Sequence, residues 1–148
     1  MIYLAADHRG FELKNKIKEW LKEWGYEYED MGAFEYNKND DYPDFAEAVG
    51  KKVAGDTESR GILACGSGVG IDVAANKIDG VRAGTISNSE QAKASVNDEN
   101  LNVLSLAADF LSEQKAQEIV KAFLETRYEK TDRYERRLEK VKELEDEN

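Results

Sequence analysis

The segment GILACGSGVGIDVAANK, residues 61–77, runs from a short apolar stretch through a glycine-rich turn into a helical pattern. Residues 61–65 are continuously apolar, which is typical of a strand buried on both faces of a sheet. Glycines at 66, 68 and 70 then allow a tight turn before a helix begins near Gly70. A strand, a turn and a helix in this order predict one unit of a parallel sheet, because a crossover helix returns the chain to the same end of the sheet.

The same alternation extends over the rest of the chain. Apolar runs at 2–6 and 102–106, a run at 82–86 and a more polar one at 26–30 bring the predicted strands to five. Helical periodicity places apolar residues on one face in three further segments: Phe11, Leu13, Ile17, Trp20 and Leu21; Phe45, Val49 and Val53; Ala116, Ile119, Val120 and Phe123. The pattern predicts a three-layer α/β sandwich with a five-stranded parallel sheet, built as a single domain over residues 1–148.

The composition restricts the classes of partner. The chain carries 31 acidic and 21 basic residues, a formal net charge of −10, which opposes binding to nucleic acid or to an anionic membrane surface. No apolar run is long enough to span a bilayer and the amino end lacks a signal-peptide pattern, so we expect a soluble cytoplasmic protein. With one cysteine and one histidine, we expect no intramolecular disulfide and no zinc cluster within one subunit.

Residues able to carry chemistry stand just after the predicted strands, where doubly wound sheets bind their ligands. Three loops, at 7–10, 65–70 and 87–89, are therefore expected to lie side by side. The glycine turn of the second loop and the helix after it predict a cradle for an anion or oxyanion, to which Ser67 adds a hydroxyl. Its G-x-G-x-G spacing, with no lysine following, makes a nucleotide site the weaker hypothesis.

Cys65 and His8 each have two interpretations. A buried cysteine is commonly a small apolar core residue, but a thiol at a strand end beside glycines and a helix start also suits a base or a nucleophile. His8 is either a surface residue capping the first helix or a donor to a sugar hydroxyl or phosphate, oriented by Asp7. If His8 activated Cys65, the chain would be a thiol hydrolase that works by acyl transfer, which is a weak hypothesis.

The composition changes after Thr126 to that of a highly charged helix. Its one apolar stripe consists of Tyr134, Leu138, Val141 and Leu144. The stripe fits packing on a neighbouring subunit and equally a solvated helix on its own domain. Arg133 and Arg137 stand at i and i+4, so they project together and fit a pair that grips one phosphate, in trans if the helix packs on a neighbour.

These residues together resemble the ribose 5-phosphate isomerase type B family, which includes the galactose 6-phosphate isomerase subunits. The resemblance covers nearly the whole chain and rests on AADHRGFELK (5–14), DDYPDFA (40–46), CGSGVGIDVAANK (65–77), GVRA (80–83), NVL (102–104) and the arginines at 133 and 137. It implies a Rossmann-like subunit in a homodimer or homotetramer, with an active site shared between two chains. It also implies cofactor-free and metal-free interconversion of an aldose phosphate and a ketose phosphate through an enediol, most simply ribose 5-phosphate and ribulose 5-phosphate in the pentose phosphate pathway.

The resemblance also assigns roles to individual residues. Cys65 would move the proton between C1 and C2, while Ser67 and the amides of the glycine turn, at Gly66, Gly68 and Gly70, would hold the enediolate oxygen. The remaining substrate-binding residues are, for the sugar, Asp7, His8 and Tyr42, and, for the phosphate, Arg133 and Arg137.

The chain departs from the family pattern at several positions. Where most members read HNDANVL, this chain reads DENLNVL, so Asp98 replaces the ring-opening histidine and Glu99 the substrate-binding asparagine. Asp109 stands where a phosphate-binding arginine is common, Tyr134 where histidine is common, and Asp72 where small or neutral residues are usual. Asp98 is expected to open the ring as an acid or base. The alternatives are an isomerase of another sugar phosphate, a silent sugar-phosphate-binding homologue, or a partner subunit of a heteromer.

Overall fold

The computed structural model describes all 148 residues as alternating strands and helices. In chain order they are β1 (Ile2–Ala6), α1 (Phe11–Glu23), β2 (Tyr28–Asp30), α2 (Tyr42–Ala54), β3 (Arg60–Cys65), α3 (Val69–Ala75), β4 (Ala83–Thr85), α4 (Ser89–Glu99), β5 (Val103–Ala107), α5 (Glu113–Glu125) and α6 (Asp132–Asp146). The five strands form one parallel sheet in the order β2-β1-β3-β5-β4. The predicted three-layer α/β sandwich is confirmed, with each predicted strand present within two residues of its expected ends.

Helices cover both faces of the sheet, and each face has its own apolar core. The larger core joins the sheet to α1, α4 and α5, and the smaller one joins it to α2 and α3. All four apolar residues predicted for the face of α5 are buried. In α1 the predicted stripe is deepest at its centre, because Ile17 and Leu21 are fully buried whereas Phe11 and Leu13 are half-buried.

The strand order corrects one expectation about the loops. β5 lies between β3 and β4, so the loops at 7–10 and 65–70 are neighbours but the loop at 87–89 is not next to them. Asn88 of that loop instead caps α4, accepting a hydrogen bond from the Gln91 amide at 2.8 Å. The loop beside the glycine turn is the one after β5, which carries Asp109. Strand order is set by packing of the layers, which the periodicity of single segments does not encode.

A buried ion cluster fixes the long loop between β2 and α2. Asp30 accepts hydrogen bonds from Lys14 and Lys18, each at 2.8 Å, and Lys14 also donates to the backbone oxygen of Ala33. Burial lowers the pKa of Lys14, whose side chain has no solvent exposure. Burial alone would raise the pKa of Asp30, but hydrogen bonds from both lysines and from the Gly32 amide lower it. The cluster anchors the segment that leads to Asp40.

The C-terminal helix α6 lies against the domain with no buried residue of its own. Its main tether is Glu145, which accepts a hydrogen bond from the Gly80 amide at 2.9 Å. Val141 and Leu144 of its apolar stripe are more than half exposed. Packing of α6 on a neighbouring subunit therefore stays a prediction. None of the six helices combines the length and apolar character that crossing a bilayer requires.

Candidate active site

The glycine turn after β3 begins at Cys65. Cys65 is 4% exposed and packs in the smaller core, at the carboxyl end of β3, opposite Ala107 of β5. Its backbone oxygen accepts a hydrogen bond from the Ala108 amide at 2.9 Å. The thiol thus combines both features considered for it, since it is buried like a core residue and stands directly before the turn. No hydrogen bond joins Cys65 to His8, so the geometry gives no support to the thiol hydrolase.

The neighbouring strands hold this turn in one conformation. Gly68 has φ of 75°, in the left-handed region, and a Cβ at this position would lie 2.9 Å from Thr85 Cγ2. The Gly68 oxygen accepts a hydrogen bond from Ser105 Oγ at 2.6 Å. Thr85 Oγ1 lies 3.1 Å from the same oxygen and 2.7 Å from Asp72 Oδ2. Asp72 is therefore a support for the turn, which accounts for an acid at this position.

Several donors of the turn have no acceptor within the chain. The amides of Ser67 and Gly68 donate to no backbone or side-chain oxygen. Ser67 Oγ accepts a hydrogen bond from the Val69 amide at 3.2 Å and is exposed, so its O–H remains available. Two amides and a hydroxyl of the turn that follows Cys65 are thus free to donate hydrogen bonds, and their role in binding an oxyanion stays a prediction.

His8 is oriented by Asp40 and not, as predicted, by Asp7. His8 Nδ1 lies 2.7 Å from Asp40 Oδ1, which also accepts the His8 amide at 3.0 Å. A carboxylate can only accept here, so Nδ1 carries the proton and Nε2 is left for a ligand. Asp7 instead accepts the amides of Arg9 and Gly10 at 3.0 and 3.1 Å and so shapes the turn before α1. The proposed capping of α1 by His8 is also wrong, because Gly10 occupies that position.

Asp40 was not among the predicted site residues, although it opens the DDYPDFA segment. Its Oδ2 is buried and has no hydrogen-bond partner. Asp7, His8 and Asp40 each offer one potential metal ligand, and these atoms lie within 4.8 Å of one another. The sequence count of one histidine and one cysteine did not anticipate this cluster, because carboxylates from two different loops complete it. The His8 and Asp40 atoms of this cluster already share a hydrogen bond, which leaves Nε2 of His8 and Oδ2 of Asp40 without a partner in the chain.

Tyr42 closes the other side of the glycine turn. It is the first residue of α2, is 40% exposed, and packs its ring so closely on Gly70 that a Cβ there would lie 2.8 Å from Tyr42 Cζ. Glycine at 70 is thus required by the ring. The contact brings the predicted sugar-binding tyrosine to the turn that holds the predicted base.

Arg9 and Asp109 form an ion pair across the turn. A Cβ built on Gly66 would overlap the Arg9 guanidinium, so the arginine lies directly over Gly66. Asp109 also donates its amide to the Gly66 oxygen at 3.0 Å. The acid in place of the usual arginine is therefore paired with Arg9, so that the two side chains together carry no net charge at this rim. The sequence showed both residues, but only the fold shows that they pair.

The other predicted site residues lie at the opposite side of the sheet, near the amino ends of the strands. Asp98 and Glu99 end α4 shortly before Val103, the first residue of β5, whereas Cys65 lies beside Ala107 at the last. The two ends of β5 are about 13 Å apart. Asp98 Oδ1 accepts a hydrogen bond from Asn97 Nδ2 at 2.8 Å, and Glu99 is exposed.

Arg133 and Arg137 also lie near the amino ends of the strands. The segment before α6 is tied to the end of α4, because the Glu129 amide donates to the Asn97 oxygen at 3.1 Å. Both arginines are exposed and neither forms an ion pair. Within one chain the predicted site is therefore divided into two groups. The residues at the glycine turn are Asp7, His8, Tyr42, Cys65, Gly66, Ser67, Gly68 and Gly70, and those at the amino ends of the strands are Asp98, Glu99, Arg133 and Arg137.

Comparisons with known proteins agree with this geometry. Residues 2–141 match a family model described as Ribose/Galactose Isomerase. The probable ribose-5-phosphate isomerase B of Mycoplasma genitalium is 39% identical over 141 residues, covering 95% of this chain and 92% of that protein. The ribose-5-phosphate isomerase B of Mycobacterium tuberculosis is 37% identical over 144 residues, covering 97% and 89%. A crystal structure of the Mycoplasma genitalium enzyme with bound ribulose-5-phosphate matches with a TM-score of 0.95 at 38% identity, covering 99% of this chain and 97% of that one.

Proposed function

Because the chain belongs to the ribose/galactose isomerase family, whose members are aldose–ketose isomerases, we propose that it interconverts ribose 5-phosphate and ribulose 5-phosphate. The observation that carries the proposal is the pairing of Cys65 with the free donors of Ser67 and Gly68 in one rigid turn. A base next to oxyanion donors is what proton transfer beside a carbonyl requires. The proposal includes a cytoplasmic location, where sugar phosphates are metabolised.

The proton transfer follows from this arrangement. The Cys65 thiolate takes the proton from C2 of the open-chain aldose, and the electron pair moves onto the carbonyl oxygen at C1, which gives an enediolate. The amides of Ser67 and Gly68 donate hydrogen bonds to the negative oxygen. Return of the proton from sulfur to C1, with transfer of the proton of the C2 hydroxyl to the negative oxygen at C1, yields the ketose. His8 Nε2 and Tyr42 hydrogen-bond the sugar hydroxyls and hold C1 and C2 near the thiol.

The site residues at the amino ends of the strands, among them the proposed phosphate-binding arginines, would contribute to the active site of a neighbouring subunit. Arg133 and Arg137 are exposed, form no ion pair and lie at the end of the strands opposite to the glycine turn of their own chain. They therefore reach a glycine turn only in a second copy of the chain. We therefore include a homodimer, or a homotetramer built from such dimers, with α6 crossing to the partner. In this arrangement Asp98 approaches the partner's substrate, where a carboxyl can open the ring as acid or base. A heteromer with a second type of subunit is the alternative assembly.

The two carboxylates at 98 and 99 favour a second candidate function. Placed near a phosphate dianion they repel it, which fits a different sugar phosphate or a silent homologue that binds without turnover. Asp98 and Glu99 are the observation behind this candidate, because nothing within the chain neutralises them.

An isomerase assay on the purified chain separates these candidates. Ribose 5-phosphate and ribulose 5-phosphate serve as substrates, and Cys65→Ala serves as the blank because it removes the base and few packing contacts. Turnover by the wild type that disappears in Cys65→Ala supports the proposal. Turnover retained by Cys65→Ala refutes the cysteine base. No wild-type turnover of either sugar refutes the pentose phosphate reaction for the chain alone, and the same assay with hexose phosphates, or with a second subunit added, then tests the alternatives.

A further inference from the structure

A cavity opens near the amino ends of the strands, away from the glycine turn. It has a volume of about 420 Å³, within the range of about 300–1,000 Å³ typical of small-molecule sites. The segments that form it precede β3 and β5 and follow α5. Its lining residues are Thr57, Glu58, Ser59, Arg60, Arg82, Asn100, Leu101, Asn102, Leu124 and Arg127. Only two of them are hydrophobic, so the cavity suits a polar ligand.

Three arginines line this cavity, and none of them forms an ion pair. Arg60 donates to the backbone oxygens of Phe123 and Thr126, the latter at 3.0 Å, and Arg82 Nε donates to the Asn100 oxygen at 2.7 Å. These acceptors are uncharged. In a chain with a net charge of −10, three arginines around one cavity, none of them at ion-pair distance from a carboxylate, are an unusual concentration of positive charge.

The bound carbonyls fix two of the guanidinium groups without using all their donors. A guanidinium has five N–H donors, so Arg60 and Arg82 retain several for a ligand, and the exposed Arg127 retains all of them. Burial lowers the pKa of Arg60, and the charge of Arg127 lowers it further. Burial likewise lowers the pKa of Arg82, which the charge of Glu145 in part offsets. An anion in the cavity would relieve this repulsion between fixed positive charges.

Only one acid lines the cavity. Glu58 stands on its rim and is exposed, while Asp56 nearby is occupied by hydrogen bonds from the Glu58 amide and from Ser59. The cavity therefore keeps a net positive lining. Guanidinium groups bind carboxylate and phosphate oxygens alike in bidentate geometry, but three arginines around one cavity favour an anion with several charged oxygens, such as a phosphate, over a halide or a single carboxylate.

We propose that this arginine cavity, lined by Arg60, Arg82 and Arg127, is a binding site for a small phosphate-bearing anion, separate from the candidate active site. The ligand class is a multiply charged oxyanion such as pyrophosphate or a phosphate monoester. Arg60 and Arg82 form its fixed wall. Arg127 at the mouth closes on the bound anion.

Calorimetric titration with pyrophosphate tests the site. The parent protein carries R133Q and R137Q. These substitutions remove the two arginines proposed to bind the substrate phosphate and so keep the test independent of the proposed function. Adding Arg127→Gln should weaken pyrophosphate binding about tenfold, the loss expected for one set of charged hydrogen bonds. Arg136→Gln, which removes an exposed charge outside the cavity, is the matched control and should change Kd less than about twofold.

A second variant pair tests the same wall without removing an arginine. Thr57→Glu places a negative charge on the rim and should weaken binding at least as much as Arg127→Gln, whereas Thr57→Gln should have little effect. The parent failing to bind pyrophosphate would overturn the proposal. Equal losses in Arg127→Gln and Arg136→Gln, or in both Thr57 variants, would also overturn it, because the effect would then be general to the surface. Thermal denaturation of each variant confirms that it is folded.

Discussion

The predicted site residues of one chain are divided between the two ends of the strands. This division predicts that two subunits with different defects regain activity when they form a mixed dimer. One variant, Cys65→Ala, lacks the proposed base. The other, the double variant R133A/R137A, lacks the proposed phosphate grip. If α6 of one subunit reaches the glycine turn of its partner, a mixed dimer has one site with both defects and one site with none.

The size of the recovery follows from counting sites. Random association of equal amounts makes half of the dimers mixed, and half of the sites in a mixed dimer are intact, so the mixture should regain about one quarter of wild-type activity. If each site were completed within its own chain, every site would carry a defect. Recovery would then not exceed the mean of the two parents.

The assay is ribose 5-phosphate isomerisation by co-expressed subunits that carry different affinity tags. Substrate is kept below KM, because loss of a remote phosphate grip is expressed mainly in KM. Tandem purification isolates the mixed dimers, which should have about half of wild-type activity. Mixed dimers no more active than the mean of the parents, or a chain that is monomeric and active, would refute the shared site.

Three further predictions concern single residues. Asp40→Asn should lower kcat/KM about tenfold by loosening His8, the proposed sugar-binding histidine, and leaving an unpaired buried amide, while the neighbouring exposed Asp41→Asn should not; equal activities would contradict the positioning role. Gly70→Ala should push aside the ring of Tyr42 and lower kcat/KM about tenfold with little change in Tm, and a large loss of Tm would show that the turn itself had failed. Asp30→Asn should cost about 3–5 kcal/mol in the free energy of unfolding at pH 7, because it leaves two lysines without their carboxylate. This difference in stability between wild type and Asp30→Asn should shrink as the pH falls through the lowered pKa of the Asp30 carboxyl, because the stability that Asp30 adds is present above its ordinary pKa and is lost on protonation. Chemical denaturation of both proteins across acid pH measures the difference. A difference that does not change with pH would contradict the role of the ion pairs.

Much of the fold was predictable because local pattern and packing agree. The five strand segments and the buried face of α5 follow from apolar runs and periodicity, since a parallel sheet must be covered on both faces. The helix after the glycine turn begins at Val69, one residue before the position expected. The family motifs also selected the residues of the glycine turn, which the structure brings next to His8 and Tyr42.

The interactions between these residues were less predictable. Sequence reasoning paired His8 with its neighbour Asp7, whereas the fold delivers Asp40 from a loop more than thirty residues away. The sequence showed Asp109 only as an acid in place of a phosphate-binding arginine, whereas its ion pair with Arg9 depends on β5 lying next to β3. The only signal for Asp40 was its position at the start of a polar motif.

The sequence by itself determined the order of strands and helices, the layered fold and the chemical groups available, because these depend on residue type and on short-range periodicity. The tertiary structure alone decided which groups meet. Strand order places Asp109 beside the glycine turn, and the ion pairs of Asp30 with the buried Lys14 and the partly exposed Lys18 fix the start of the loop that carries Asp40. The length of the sheet separates Arg137 from Cys65, because side chains at opposite ends of parallel strands cannot converge within one chain.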